Sequence, residues 1–298
     1  MKLARIATRL YATPWHILPE AHRRLQSLFE AHQTHPISSF LTTENDGDQD
    51  DMEENSYSVT DGVAIVPVSG VIGKRLNMLE MMCGGADVDV LVNAVMKADM
   101  DPSVHSILLD VNSPGGMVTG TPEAAAALGQ TSKPLYAFTD SQMCSAAYWL
   151  ASAATDGIFV TGSSDVGSIG TYLAMIDSSR AYEMEGLKLE LFKAGNLKAI
   201  GLEGKAFTDA ERAFLQEGVD RANSRFLSAV VANRAEAGAK IDDETMQGQW
   251  FDGEQAVENG LADCLVGNLS EAIGQIVGMN PDQDQDGDGE EDDDSNVM

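Results

Sequence analysis

Patterns typical of strands and patterns typical of helices alternate along residues 62–236 of this chain. The apolar runs at 63–72 and 104–112 are typical of buried strands, whereas 87–98 repeats apolar residues at helical spacing. The alternation predicts a layered α/β domain. Within it, 187–195 is predicted to be a strand. Residues 208–236 are predicted to form a long helix. Thr208 is its predicted N-cap, and Glu211 completes a capping box with Thr208.

Two acidic stretches predict how the chain is divided. Residues 1–43 are interpreted as an N-terminal arm and 44–57 as an acidic linker. The main domain is predicted to cover 58–275, and 276–298 to be a disordered acidic tail. The spacing of Asp282, Asp284 and Asp286 resembles the start of a calcium loop, but the flanking helices are missing, which favours the disordered tail.

Overall composition excludes several classes of protein. The formal charge of -28 and the pI of about 4.2 make a nucleic-acid partner improbable, because like charges repel. Cys83, Cys144 and Cys264 are widely spaced, which predicts neither a disulfide framework nor a metal site. No apolar run is long enough for a membrane anchor or a signal peptide, so we expect an intracellular, soluble protein.

Two segments are candidates for a nucleophilic site. The turn at 113–116, with sequence SPGG, follows a predicted strand and can present backbone N–H groups, although an ordinary tight turn is the simpler interpretation of this motif alone. Ser145 stands at the predicted start of a helix among small residues, where it is either a nucleophile or merely an N-cap.

The base of such a site is not expected to be a histidine. His105 is the one histidine after residue 35, and its place at the start of an apolar strand favours a structural role. Lysines 193, 198 and 205 lie in a glycine-rich stretch, and a lysine becomes a base when desolvation favours its neutral form. Lys198 has the least polar neighbours of the three, but a surface lysine is the simpler interpretation.

Five ordered motifs together resemble the signal peptide peptidase A (SppA) family of Ser–Lys serine peptidases. In chain order they are N-S-P-G-G at 112–116, M-x-S-x-x-Y at 143–148, G-S-I-G at 167–170, G-x-x-K-x-x-G at 195–201 and T-x-x-E-R at 208–212. The segment 251–263 resembles the closing motif of that family, and the match covers roughly residues 60–270.

The resemblance implies a role for particular residues. Ser145 corresponds to the nucleophile and Lys198 to the general base, while the backbone N–H groups of Gly116 and Ala146 would form the oxyanion hole. The family commonly has Ala-Ser-Gly-Gly where this chain has Cys-Ser-Ala-Ala at 144–147. The implied fold consists of stacked β-β-α units like those of Clp protease and crotonase. Neither an organic cofactor nor a metal is implied.

The arm narrows the resemblance to one branch of the family. Residues 5–19, with Tyr11-Ala12-Thr13-Pro14-Trp15 at their centre, resemble the start of the lambda-type phage capsid proteases. This implies an endopeptidase of phage head maturation with portal, scaffold or capsid proteins as substrates. It also implies a homo-oligomeric ring with sites between neighbouring domains, in the cytoplasm of a bacterial host or within the procapsid.

Three alternatives stay open at this stage. The first is a cellular peptidase of the same family that degrades signal peptides or misfolded proteins. The second is an acyl-CoA enzyme of the crotonase fold, which the pairing of Ser145 with Lys198 disfavours. The third is a catalytically inactive capsid-assembly or scaffold factor.

Overall fold

The computed structural model describes residues 13–34, 56–77, 80–81 and 84–279. The strands, in chain order, are β1 (Trp15–Ile17), β2 (Ser58–Thr60), β3 (Val63–Ser69), β4 (Val71–Gly73), β5 (Gly85–Asp87), β6 (Ser106–Asn112), β7 (Gly115–Met117), β8 (Leu135–Thr139), β9 (Gln142–Cys144), β10 (Gly157–Val160), β11 (Asp165–Gly167), β12 (Trp250–Phe251) and β13 (Cys264–Leu265). The helices are α1 (Pro19–Thr34), α2 (Val88–Met100), α3 (Thr121–Leu128), α4 (Ala146–Ser152), α5 (Ser179–Met184), α6 (Asp209–Glu236), α7 (Gly253–Glu258) and α8 (Leu269–Met279), with a 3-10 turn at Asp243–Met246.

A six-stranded sheet in the order β13-β10-β8-β6-β3-β2 forms the centre of the domain. All neighbouring strands in it are parallel except β2, which runs antiparallel to β3 at one edge. Parallel strands need a crossover between them, and helices supply it here. The predicted α/β class is therefore confirmed.

The crossovers repeat one pattern. A long strand of the large sheet is followed by a short strand of a smaller sheet and then by a helix, as in β6-β7-α3 and β8-β9-α4. The segment from β3 through β4 to α2 follows the same order, with β5 inserted before the helix. This is the stacked β-β-α arrangement that the resemblance implied.

Both faces of the large sheet are covered. In β6, Ile107 and Leu109 belong to the main cluster that packs under helices α2, α3 and α4, whereas Leu108 faces Ile273 and Ile276 of α8. Alternate residues of a strand point to opposite faces, so an apolar run without alternation matches a strand buried on both sides.

Two features of the long helix agree with the sequence. Helix α6 begins after Thr208, whose side chain accepts from the Glu211 N–H, and the Glu211 carboxylate accepts from the Thr208 N–H at 3.0 Å. The capping box is therefore confirmed.

The predicted strand at 187–195 is wrong. These residues have no regular structure and their side chains are exposed. Leu187, Leu189 and Leu191 alternate as strand residues do, but no described strand pairs with them. A strand needs a partner for its backbone groups, and without one the segment stays solvated.

The predicted boundaries need two comments. Helix α8 continues to Met279, four residues past the predicted end of the main domain at 275, because Ile276 is buried against the large sheet. Residues 44–55 of the predicted linker and 280–298 of the predicted tail, including Asp282, Asp284 and Asp286, lie outside the described residues. The four-part division as a whole stays a prediction.

Candidate active site

Ser145 lies at the junction of β9 and α4, with only 1% of its surface exposed. Its backbone angles are φ 57° and ψ -116°, which residues other than glycine rarely adopt. Such a conformation costs about 1–3 kcal/mol and persists only where neighbouring contacts fix it. This conformation turns the chain sharply from strand into helix. Ser145 also differs from an ordinary N-cap, because its side chain makes no capping hydrogen bond.

Backbone hydrogen bonds from two motifs fix this junction. The Ser145 N–H donates to the Gly167 carbonyl at 2.7 Å, which ties it to the start of the G-S-I-G segment. The preceding Cys144 N–H donates to the Ser113 carbonyl at 3.1 Å, which ties it to the S-P-G-G turn. Two segments that are distant in sequence therefore converge on the serine.

The S-P-G-G turn is in direct contact with Ser145. Gly115 has φ +101°, and a Cβ at this residue would lie 2.9 Å from the Ser145 Cβ and 2.9 Å from the Cys144 carbonyl oxygen. A Cβ at Gly116 would lie 2.0 Å from the Ile72 carbonyl oxygen of β4. Glycine is required at both positions because the backbones approach too closely for any side chain.

The remaining motif residues build the frame around the serine. The Tyr148 hydroxyl, fully buried in α4, donates to the Leu261 carbonyl at 2.8 Å. Arg234 of α6 is buried and forms a two-point ion pair with Asp263, at 2.6 and 3.0 Å. Asp263 also accepts from the Ile158 N–H at 2.7 Å. The closing motif thus joins α4, α6 and the large sheet.

The three candidate lysines differ in their partners. The Lys205 ammonium donates to the buried Glu211 carboxylate and, with the Thr208 N–H, lowers the pKa of Glu211 to about 2. Lys193 lies 4.0 Å from the same carboxylate and donates to the Asn196 carbonyl. Lys198 is exposed and forms neither a hydrogen bond from its ammonium nor an ion pair with any described residue.

No hydrogen bond joins Lys198 to Ser145 in the described structure. Lys198 belongs to an exposed stretch of turns, where its N–H donates to the Gly195 carbonyl at 3.2 Å. The described contacts include none between its side chain and the serine. In the single chain, Ser145 is therefore buried whereas Lys198 is exposed.

His105 and His16 differ in their burial. His105 is exposed just before β6, and its backbone N–H donates to the Gly62 carbonyl at 2.7 Å. The sequence reasoning missed His16, which is fully buried in the domain beside Trp149 of α4. Burial lowers the pKa of His16 to about 4, so that its imidazole is neutral near pH 7. Its position between Trp15 and Ile17, in an arm with other histidines, gave no indication of this burial.

The site has the features of a serine nucleophile centre. A strained serine stands at the start of a helix, next to a glycine turn and among backbone N–H groups, which is an arrangement suited to acyl transfer. Within the described residues there is no cluster of three side chains that suit a metal ion.

Comparison with known proteins gives the family. Residues 127–276 match the model of peptidase family S49, and the chain belongs to this family. The matched range contains both Ser145 and Lys198.

Curated relatives include phage and cellular proteins. Capsid assembly protease C of Escherichia phage lambda is 33% identical over 78% of this chain and 52% of the relative. Head-tail preconnector protein GP5 of Enterobacteria phage P21 is 31% identical over 73% of this chain and 43% of the relative. A putative signal peptide peptidase SppA of Enterococcus faecium is 34% identical over 56% and 49%. The chain spans about half the length of these relatives.

A solved structure of an enoyl-CoA hydratase/isomerase family member matches with a TM-score of 0.40 and 17% identity, covering 75% of each chain. Within the described residues, no helix combines the length and the apolar character needed to cross a bilayer.

Proposed function

We propose that this chain is a serine endopeptidase in which Ser145 is the nucleophile and Lys198 the general base. The observation that supports it most strongly is the backbone of Ser145, which is strained and fixed by two other family motifs. Strain of this kind clusters at functional sites, because a structural serine gains nothing from it.

The proposed chemistry is acyl transfer. The neutral Lys198 amine takes the proton of the Ser145 hydroxyl as the oxygen attacks a peptide carbonyl carbon. The resulting ammonium then gives that proton to the leaving amine as the C–N bond breaks. Water, deprotonated by the same lysine, hydrolyses the acyl ester and restores Ser145.

The N–H groups of Gly116 and Ala146 are the proposed oxyanion donors. Ala146 is the first residue of α4, where an N–H has no acceptor within the helix. Gly116 follows the glycine that touches Ser145. Loss of one such donor typically costs about 3 kcal/mol of transition-state stabilisation.

Lys198 is the proposed base because the other two lysines are committed to Glu211. In the single chain it is exposed, whereas an amine needs desolvation to be a base near neutral pH. We therefore propose that a second copy of the chain brings Lys198 to a serine and buries it there.

The segment around Lys198 supports such self-association. Large apolar side chains between residues 176 and 202 are exposed, among them Phe192 at 94% and Met184 at 82%. The alternating leucines at 187, 189 and 191 add an unpaired strand pattern. Exposed apolar side chains concentrated in one segment mark protein–protein contact sites.

The proposed biological role is proteolysis during phage head assembly. It rests on the names of the two phage relatives, a capsid assembly protease and a head-tail preconnector. The substrates would be phage structural proteins. A cellular role in signal-peptide degradation is the second candidate, which the Enterococcus faecium relative favours. Incubating the chain with a phage scaffold protein and, separately, with a released signal peptide would distinguish the two.

Labelling with a fluorophosphonate tests the chemistry. We expect the reagent to modify Ser145, with no labelling of Ser145→Ala and a rate at least 100-fold lower for Lys198→Ala. Ser152→Ala, which alters another buried serine of α4, and Lys193→Ala are the matched controls and should label normally. Labelling of Ser145→Ala, or normal labelling of Lys198→Ala, would contradict the proposal.

A further inference from the structure

We infer that strand β1 of the arm occupies the place where an extended peptide substrate binds beside Ser145, so that the arm closes the site until it is displaced. The inference rests on the proposed function and adds its regulation. It also assigns the slot that holds His16 as a pocket for a flat substrate side chain.

Strand β1 is held on both edges. One edge pairs antiparallel with Gly115–Met117 of β7. On the other edge, the Trp15 N–H donates to the Tyr172 carbonyl at 2.9 Å and the Tyr172 N–H donates to the Trp15 carbonyl at 3.2 Å. A gap between two backbone segments that both offer hydrogen bonds is what an extended peptide fills.

The pairing register directs the arm to the proposed oxyanion donor. The Leu18 N–H donates to the Pro114 carbonyl at 3.0 Å. His16, two residues before Leu18, pairs with Gly116, two residues after Pro114. Hydrogen-bonded pairs alternate in an antiparallel ladder, so this register points the Gly116 N–H at the His16 carbonyl. The arm thereby uses the group that would hold the oxygen of a substrate carbonyl.

The His16 carbonyl also lies next to the nucleophile. The position of a Cβ at Gly115 is 2.3 Å from the His16 carbonyl oxygen and 2.9 Å from the Ser145 Cβ. Both groups therefore lie within 3 Å of one point. A substrate carbonyl cannot approach this point while the arm carbonyl is there.

The side chain of His16 fills a defined slot. Its ring packs nearly parallel to Phe226 and Trp149, with centroids 4.8 and 5.5 Å away, and its Nε2 lies 2.9 Å from the Thr171 hydroxyl. Its Nδ1 is buried with no hydrogen-bond partner in the described structure. The slot thus selects for a flat ring with one polar edge, whether imidazole or aromatic.

The opposite face of β1 fastens the arm. Trp15 and Ile17 are almost fully buried with Met117, and Tyr172 packs against them. A segment of the same chain also has a high effective concentration at its site, so that it outcompetes a free peptide of equal affinity. Removal of the arm is therefore a separate step before substrate binding.

A reversible tether tests the inference in the full chain. Trp15 and Met117 are a non-hydrogen-bonded pair, whose Cα spacing suits a disulfide. In the double variant Trp15→Cys with Met117→Cys, we expect oxidation to lower the rate of fluorophosphonate labelling at Ser145 at least tenfold. Reduction should restore the rate. The wild type and both single variants, treated identically, should not respond.

Equal labelling of the oxidised and reduced forms, with the disulfide confirmed by mass, would overturn the inference. If neither the wild type nor the reduced double variant labels, the proposed function fails instead, and a binding measurement then tests the arm. That measurement uses Ser145→Ala with His16→Ala, which empties the slot, and a fluorescent peptide of residues 13–19 as the probe.

We expect this peptide to bind at least tenfold more tightly than the same peptide with alanine in place of histidine. The oxidised tether in a Ser145→Ala chain should bind neither peptide. Equal binding of the two peptides, or binding to the tethered chain, would show that the arm is a permanent part of the fold and that substrates bind elsewhere.

Discussion

At the scale of single residues, the ion pair of Arg234 with Asp263 shows how the closing motif supports the site without touching it. The guanidinium is fully buried, and its Nε also donates to the Gly260 carbonyl at 2.9 Å. Removal of the carboxylate would leave a buried charge without its partner.

We predict that Asp263→Asn lowers the free energy of unfolding by about 3 kcal/mol, the low end of the range for such pairs because Asp263 is 32% exposed. Asp242→Asn, whose ion pair with Lys240 is exposed, should change it by less than about 0.5 kcal/mol. Denaturant titrations of both variants check this. Equal effects would contradict the supporting role of Asp263.

His16 gives a pH dependence with a definite sign. Burial lowers its pKa from 6.5 to about 4, so the unfolded chain takes up a proton before the folded chain does. The contribution of neutral His16 to the free energy of unfolding is therefore complete above pH 6.5. It is lost as the pH falls towards 4, at about 1.4 kcal/mol per pH unit. His16→Gln has no such proton, so its stability should fall less over this interval. Parallel pH profiles of the two proteins would contradict the burial of His16.

At the scale of elements, the short strands and turns determine the site. Ser145 is placed by β9, by β11 and by the turn before β7, and the closest approach among them is at Gly115. A methyl group there, in a left-handed backbone conformation, would be 2.9 Å from the Ser145 Cβ and 2.9 Å from the Cys144 carbonyl oxygen, so it would push the serine out of place.

We therefore predict that Gly115→Ala costs roughly 2 kcal/mol or more of stability and lowers the labelling rate of Ser145 at least tenfold. Gly129→Ala is the matched control, because Gly129 has φ -70° and its nearest atom is 3.7 Å from the new methyl. Denaturation and labelling are measured for both. Normal labelling of Gly115→Ala would show that the turn does not shape the site.

The elements also show what the sequence predicts well. Buried strands such as β3 and β6, and helices with caps such as α6, follow from local apolar spacing and were predicted within a few residues. Whether a segment forms a strand depends also on a distant partner: strand β1 has one in β7, whereas 187–195 has none among the described strands. Local patterns contain no information on that partner.

The same limit applies to the site. The sequence motifs point to Ser145 and to the turn at 113–116, and the structure brings these two together. The resemblance names Lys198 as the base, whereas no motif points to His16. Neither residue can be positioned from sequence, because the distance of a lysine or histidine from a nucleophile depends on tertiary and quaternary contacts. The pairing of Ser145 with Lys198 therefore stays a prediction.

At the scale of the whole molecule, the exposed segment from 176 to 202 is the feature that one chain leaves unexplained. We predict that Phe192→Asp reduces self-association at least tenfold, because a charge would be buried at the proposed contact. Met100→Asp, at a residue that is 75% exposed on α2, is the control. Light scattering across a concentration series measures the effect. Identical assembly of both variants would place the interface elsewhere.

The central claim is that a serine of one chain works with a lysine of another, and subunit mixing tests it most directly. Ser145→Ala and Lys198→Ala chains are each assayed alone for cleavage of an unstructured protein substrate, and then after they are mixed and allowed to exchange subunits. We predict almost no cleavage by either variant alone and recovery of up to about a quarter of the wild-type activity in the mixture, because mixed contacts pair an intact serine with an intact lysine. Exchange is confirmed by mass or by light scattering. No recovery in a mixture that has exchanged its subunits would contradict the shared site.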